Sequence, residues 1–197
     1  MRTYFLLALT TGCRRGELVA LNWSDIDLKG NTISINKSAA KVGSKMIIKV
    51  PKNKTSDRTI TIPESMTAEL KSWKKLQNEI RMTLGSKWEG SGEEQAVFIT
   101  DTGSRMYIDT PTAAFRKLLK RHNASADPDE RLPEITLHGL RHTQATLLIS
   151  SGADVRTVSG RLGHSKASTT MNIYAHALRS KDQEAAETLE NILHIGG

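Results

Sequence analysis

The stretch Leu137-His138-Gly139-Leu140-Arg141-His142 sets two histidines four residues apart with an arginine between them. On a helix, His138 and His142 share a face, the spacing of paired zinc ligands. A hydrolytic zinc site of that kind needs a glutamate base directly after the first histidine, and that position is Gly139. No nearby cysteine or carboxylate offers an evident third ligand, so no metal is expected. His138 and Arg141, three residues apart, also share a face. A guanidinium presents a fixed fork of donors suited to phosphate oxygens, and an imidazole beside it can donate or move a proton near neutral pH. Alone, the pair is a weak signal of a phosphate site.

Other residues of the same chemical kind recur along the chain. Thr11-Gly12-Cys13-Arg14-Arg15-Gly16-Glu17 puts Arg14 three residues before Glu17 at the start of a helix. Arg161-Leu162-Gly163-His164 places a histidine just after a helix stop, and Tyr174 lies ten residues further on. Lys52 and Lys54 stand in a polar turn, Pro51-Lys52-Asn53-Lys54-Thr55-Ser56.

The elements that must position these groups follow from periodicity and punctuation. Residues 4–10 are apolar and helix-prone until Gly12, after which helical spacing resumes with Leu18, Leu21 and Trp23 inward. Three short β-branched segments, 31–36, 45–51 and 58–63, read as antiparallel strands joined by tight turns, with 52–57 the hairpin tip between the second and third. Pro63 opens a helix of about 20 residues. A Gly/Ser/Glu loop (85–95) and a short extended piece (96–101) lead to a helix starting near Thr110 and Pro111. From Thr136 the pattern is helical almost to the end, with stops at Gly152 and Gly163 and a last amphipathic helix in the tail. Met66, Met82 and Met171, at helical positions, read as core, and His142 as a packed histidine. The expectation is one α+β domain, mostly helical, with a small three-stranded antiparallel sheet near its start.

Composition is that of a soluble globular chain: 38% hydrophobic and 25% charged over 197 residues. No apolar run reaches the ~18 residues of a membrane span and no signal peptide is evident, so neither membrane nor export is expected. Cys13 is the only cysteine, which excludes an internal disulfide and makes the cytoplasm the default compartment. Basic side chains outnumber acidic ones, 28 to 21. All of that +7 falls within residues 1–63, which hold 11 basic and 4 acidic residues. Lys37, Lys41, Lys45, Lys49, Lys52, Lys54 and Arg58 form a stripe opposed by Asp57 alone, the footprint of a polyanion partner or of a solvated face.

Taken in order, Thr11-Gly12-x-Arg14-x-Gly16-Glu17, the Lys54 turn, His138-x-x-Arg141, Leu162-Gly163-His164 and Tyr174 resemble the tyrosine recombinase, or phage integrase, family over nearly the whole chain. The resemblance implies that family's catalytic-domain fold and a DNA strand transferase that works through a covalent 3′-phosphotyrosyl link without a metal or cofactor. It implies Tyr174 as nucleophile, Arg14 and Arg141 as clamps on the scissile phosphate, and His164 as a further donor. It also implies His138 as the aid to deprotonation of Tyr174, Lys54 as the acid for the leaving 5′-oxygen with Lys52 its rival, and Glu17 as an orienting carboxylate. Arg15, Lys37, Lys41, Lys45, Lys52 and Arg58 are the expected DNA-backbone contacts. The chemistry suits the task, because a covalent phosphoryl intermediate conserves the energy of the phosphodiester bond and fixed cationic donors offset transition-state charge.

The family's N-terminal core-binding and arm-binding domains have no counterpart here, so residues 1–197 read as a C-terminal catalytic fragment. Residues 177–197 are expected to form a tail helix for docking on a neighbouring subunit, with packing on its own domain as the alternative. Expected partners are double-stranded DNA attachment sites and further copies of the chain, a tetramer on DNA and a monomer as this fragment. The ten-residue step from His164 to Tyr174 favours integrases of phages and integrative elements. A chromosome- or plasmid-dimer resolvase is the alternative within the family, and a catalytically silent DNA-binding regulator the alternative outside it.

Overall fold

The computed structural model describes residues 1–50, 57–90 and 95–163. Lys52, Lys54, His164, Tyr174, Met171 and the 177–197 tail lie outside the described residues, as does nearly all of the expected hairpin tip.

Helix α1 (Arg2–Thr11) buries Thr3, Tyr4, Leu7, Ala8 and Thr11, the i, i+3, i+4 stripe of a core-facing helix. It stops at Gly12, whose φ of 63° is the left-handed conformation that closes helices. The short α2 (Arg15–Ala20) follows, with Leu18, Leu21 and Trp23 buried as expected. Strands β1 (Ile26–Asp27), β2 (Thr32–Ile35) and β5 (Arg58–Thr61) form a three-stranded antiparallel sheet in the order β1-β2-β5. Ile33 pairs with Ile60 across β2 and β5, and both are buried.

The sheet differs from expectation in its membership. The segment 45–51 does not join the other two expected strands. Its strand β4 (Lys45–Lys49) pairs with β3 (Ser38–Val42) in a separate two-stranded hairpin, with Val42 opposite Lys45. Gly43 and Ser44 form its two-residue loop, and Gly43 supplies the positive φ (59°) that such a turn needs. Ile47 and Ile48 are both exposed, so β4 is a surface ribbon rather than a core strand.

Helix α3 (Glu64–Leu84) covers the core with Met66, Leu70 and the half-buried Trp73. Gln77, fully buried, accepts from Trp23 Nε1 and donates to the carbonyl of Ala96, so its polar ends are satisfied. Met82 is 83% exposed, against the expectation of core: it lies five positions past Gln77, far round the helix from the inward stripe. Helix α4 (Thr110–Ser125) begins after Asp109 and buries Pro111 and Phe115. Helices α5 (Gly139–Ser150) and α6 (Val155–Leu162) share a smaller core of Ala145, Ile149, Val158 and Leu162. Asp154 caps α6 by accepting from the backbone N–H of Thr157 at 2.8 Å. Among the described residues no helix is long and apolar enough to cross a membrane.

Candidate functional site

Arg14 and the pair His138 and Arg141, more than a hundred residues away in the chain, line one cleft of about 460 Å³ together with Arg15, Ser38 and Thr136. Arg14 arrives from the residue before α2, His138 and Arg141 from the first turn of α5.

Arg14 is anchored by Glu17. The Arg14 backbone N–H donates to Glu17 Oε2 at 2.7 Å, and its Nη1 donates to Oε1 at 3.0 Å. Glu17 is 5% exposed and accepts two more bonds from Arg58, Nη1 to Oε1 at 3.2 Å and Nη2 to Oε2 at 3.0 Å. Burial alone would raise the Glu17 pKa; the Arg58 hydrogen bond and charge, with those of Arg14, hold it below the ordinary carboxylate range. Glu17 is therefore an ionised strut between two arginines, more than an acid at a helix start.

Arg141 is nearly buried. Its Nη1 donates to the carbonyl of Gly12 at 2.7 Å and its Nη2 to that of Leu162 at 2.8 Å. Burial, then the charge of Arg14, lowers its pKa to about 10, which still leaves it protonated at neutral pH. A guanidinium has five N–H donors, so further donors remain for an anion in the cleft. Gly12 fits closely here: a Cβ would sit 2.6 Å from Leu162 Cδ2.

Arg14 Nη2 donates to the carbonyl of Gly163 at 3.2 Å, and Arg58 Nε to that of Arg161 at 2.7 Å. Three arginines thus meet three successive carbonyls, 161 to 163, at the C-terminal end of α6. Helix ends leave carbonyls unpaired and carry partial negative charge, so this end is a natural anchor for cations. The next residue in sequence is His164.

His138 is exposed at the start of α5, its ring 4.8 Å edge-to-face from that of His142. Partial burial, then the nearby charges of His142, Arg141 and Arg14, lower its pKa. It is therefore uncharged at neutral pH and able to accept a proton. Cys13 is buried, and burial with the nearby Glu17 charge pushes its thiol up to about 11, so it packs rather than reacts. Among the described residues no three His, Cys, Asp or Glu side chains gather as a metal site would require.

The expected DNA-contact residues divide. Arg58 is corrected: its side chain is 8% exposed and spans Glu17 and α6, away from solvent. Strand alternation carried the signal, since Arg58, Ile60 and Ile62 fall on one face and both isoleucines are buried. Lys37 is also drawn inward, held by Asp25 at 2.8 Å. Arg15 and Lys41 share Asp109, and Arg15 also donates to Thr112 Oγ1 at 2.9 Å. Lys45 stands exposed beside the hairpin loop. Among the described residues, the lysines of the basic stripe that stand exposed are Lys41, Lys45 and Lys49. Asp109 and Arg161 escaped sequence reasoning. Arg161 ties α6 to β5 and α1 through the carbonyls of Thr61 and Thr10, both at 3.0 Å.

The fold and this arginine cluster define a class, and comparison with known proteins agrees. The chain belongs to the phage integrase family, whose profile matches residues 1–181. It is 34% identical over 201 residues to the tyrosine recombinase XerC-like protein of Caldanaerobacter subterraneus, covering 98% of this chain and 49% of that protein. It is 32% identical to the ICEBs1 integrase of Bacillus subtilis, again over 98% of this chain and 49% of the relative. The chain therefore spans about half the length of these curated relatives. Among solved structures, the Tn1549 transposon integrase in complex with transposon right end DNA shares the fold at a TM-score of 0.77 and 23% identity, over 93% of this chain and 58% of that one. The XerA recombinase matches at a TM-score of 0.65 and 26% identity, over 92% of this chain and 57% of that one.

Proposed function

We propose that residues 1–197 are the catalytic domain of a site-specific DNA recombinase that integrates or excises a mobile element. The carrying observation is the convergence of Arg14, Arg141 and His138 on one cleft, with both arginines fixed on the end of α6 just before His164. Two preorganised cations beside an uncharged imidazole suit a phosphodiester, and each such donor is worth on the order of 10²–10³ in rate.

In this reading the Tyr174 oxygen attacks phosphorus as His138 takes its proton. The bond from phosphorus to the 5′-oxygen breaks, leaving DNA joined to the protein through a 3′-phosphotyrosine. Lys54 protonates the departing 5′-oxygen. Arg14, Arg141 and His164 hold the non-bridging oxygens, where charge builds up. Reversal with a different 5′-hydroxyl joins the new strand. The chemistry needs no metal or cofactor. The partners are double-stranded attachment sites and other copies of the chain, a tetramer on DNA, with residues 177–197 docking between subunits. The setting is the cytoplasm.

Identity to a XerC-like recombinase supports a dimer-resolving role as a second reading. Identity to the ICEBs1 integrase, with the ten-residue step from His164 to Tyr174, favours the mobile-element reading. A nicked suicide duplex carrying the attachment core from DNA flanking the gene tests the proposal. Wild-type protein should form a denaturation-resistant adduct in the presence of EDTA. Tyr174→Phe should bind the duplex and form none. An adduct from the phenylalanine variant, or cleavage that requires added zinc or magnesium, would overturn it.

A further inference from the structure

We infer that Arg58 is a positioning residue for strand cleavage, a buried guanidinium that locks Glu17, and through it Arg14, to the end of α6. The inference rests on the recombinase reading above and assigns a residue that does not itself face the cleft.

The geometry is specific. Arg58 opens β5, with its side chain on the buried face beside Ile60 and Ile62. Both terminal nitrogens engage Glu17, at 3.2 and 3.0 Å, and Nη2 also lies 3.7 Å from Cys13 Sγ. Nε turns the other way, to the Arg161 carbonyl at 2.7 Å. The α6 stop packs directly on the guanidinium: a Cβ at Gly163 would sit 2.8 Å from Arg58 Nη1. One side chain thereby joins the strand that follows Lys54, the carboxylate that aims Arg14, and the turn that leads into His164.

Of the three arginines on the end of α6, Arg14 and Arg141 line the cleft and Arg58 does not. Arg58, 8% exposed, is about as buried as Arg141 at 3%, so its absence from the cleft lining, and not its burial, is what sets it apart. A cation so placed acts on protein groups rather than on DNA. Its three-way contact needs a planar fork. A lysine ammonium on a flexible stem cannot hold both Glu17 oxygens and a carbonyl on the opposite side. Small misplacements of catalytic groups are costly, with a shift of about 1 Å worth ~10²-fold in rate.

The test is single-turnover cleavage of the nicked suicide duplex by the full chain at saturating protein, for wild type, Arg58→Met, Arg58→Lys, Arg14→Lys and the Arg58→Met/Arg14→Lys double variant. Amplitude reports the folded, active fraction and the rate constant reports positioning. Both Arg58 variants should lose ~10²-fold in rate constant while the half-saturating protein concentration stays within about 2-fold. In the Arg14→Lys background, Arg58→Met should add less than about 3-fold, because the two arginines act as one unit. Arg58→Lys keeps the charge and serves if the methionine variant folds poorly. Rate constants near wild type with reduced amplitude would make Arg58 a merely structural residue, and full additivity with Arg14→Lys would remove the route through Arg14. Either result overturns the inference. No adduct from wild type would instead overturn the recombinase reading, and the inference with it.

Discussion

Replacing Glu17 with glutamine isolates the charge at the centre of the site. The amide keeps the shape, but its nitrogen cannot accept hydrogen bonds. In one orientation the nitrogen confronts Nη1 of both Arg14 and Arg58; in the other it confronts the Arg14 backbone N–H and Arg58 Nη2. Either way two charge-assisted bonds are lost, each worth ~1.5–3 kcal/mol. Arg14 is 42% exposed, so solvent screens its share and most of the cost falls on Arg58, left buried without its counter-charge. Breaking such a pair costs ~3–5 kcal/mol. At ~2–4 °C per kcal/mol for a domain of this size, the melting temperature at pH 7 should fall by roughly 6–20 °C. The folded-state pKa of Glu17 lies below its unfolded value of about 4.3. Its stabilisation is therefore complete above pH 4.3 and is lost as pH falls through the folded pKa. Thermal unfolding followed by circular dichroism at pH 7, 5, 4 and 3 should show a gap between wild type and Glu17→Gln that narrows below pH 4.3. A variant within about 1 kcal/mol of wild type at pH 7, or a gap unchanged at pH 3, would refute the buried-strut reasoning.

Gly163→Ala should destabilise by ~1–2 kcal/mol from backbone strain alone at φ 69°, and more from the clash with Arg58, read as a lower urea midpoint. Sulfur in place of the bridging 5′-oxygen should rescue cleavage by Lys54→Ala, since a thiol with pKa near 8.5 departs without an acid. The same substrate should leave Arg141→Ala inactive; a defect and rescue at Lys52 rather than Lys54 would reassign the acid. Residues 1–197 alone should bind unrelated duplex at ~10⁻⁴–10⁻⁶ M at physiological salt, weakening steeply as salt rises. In that assay Lys45→Ala should flatten the salt dependence while Arg58→Met leaves it unchanged.

Helices were legible because their apolar stripes are long and their stops are glycines: Tyr4, Leu7 and Ala8 before Gly12, and Val158 and Leu162 before Gly163. Strand partners were less so. Ser38–Val42 holds small residues with no apolar alternation, so no period in the sequence marks β3 as the partner of β4. Gly43-Ser44 was the available cue, a two-residue hairpin loop. At the site, Arg14, His138, Arg141 and Glu17 are legible through the resemblance of their motifs to the family's pattern; spacing alone marks only the His138 and Arg141 pair, and weakly. Arg58 carries two conflicting signals: its charge groups it with the surface lysines, while its strand period places it inside with Ile60 and Ile62. Which cations meet acids such as Asp25 and Asp109 is a tertiary matter that no local pattern carries.

The most direct test of the central claim is the chemical identity of the bond to DNA. Wild-type protein trapped on the nicked suicide duplex, then digested with protease and nuclease, should yield one nucleotide-bearing peptide in mass spectrometry. The account predicts that this peptide contains Tyr174, joined through phosphorus to a 3′-oxygen, and that the released strand carries a free 5′-hydroxyl. A nucleotide on any other residue, a 5′-linkage, or cleavage with no covalent peptide would contradict it.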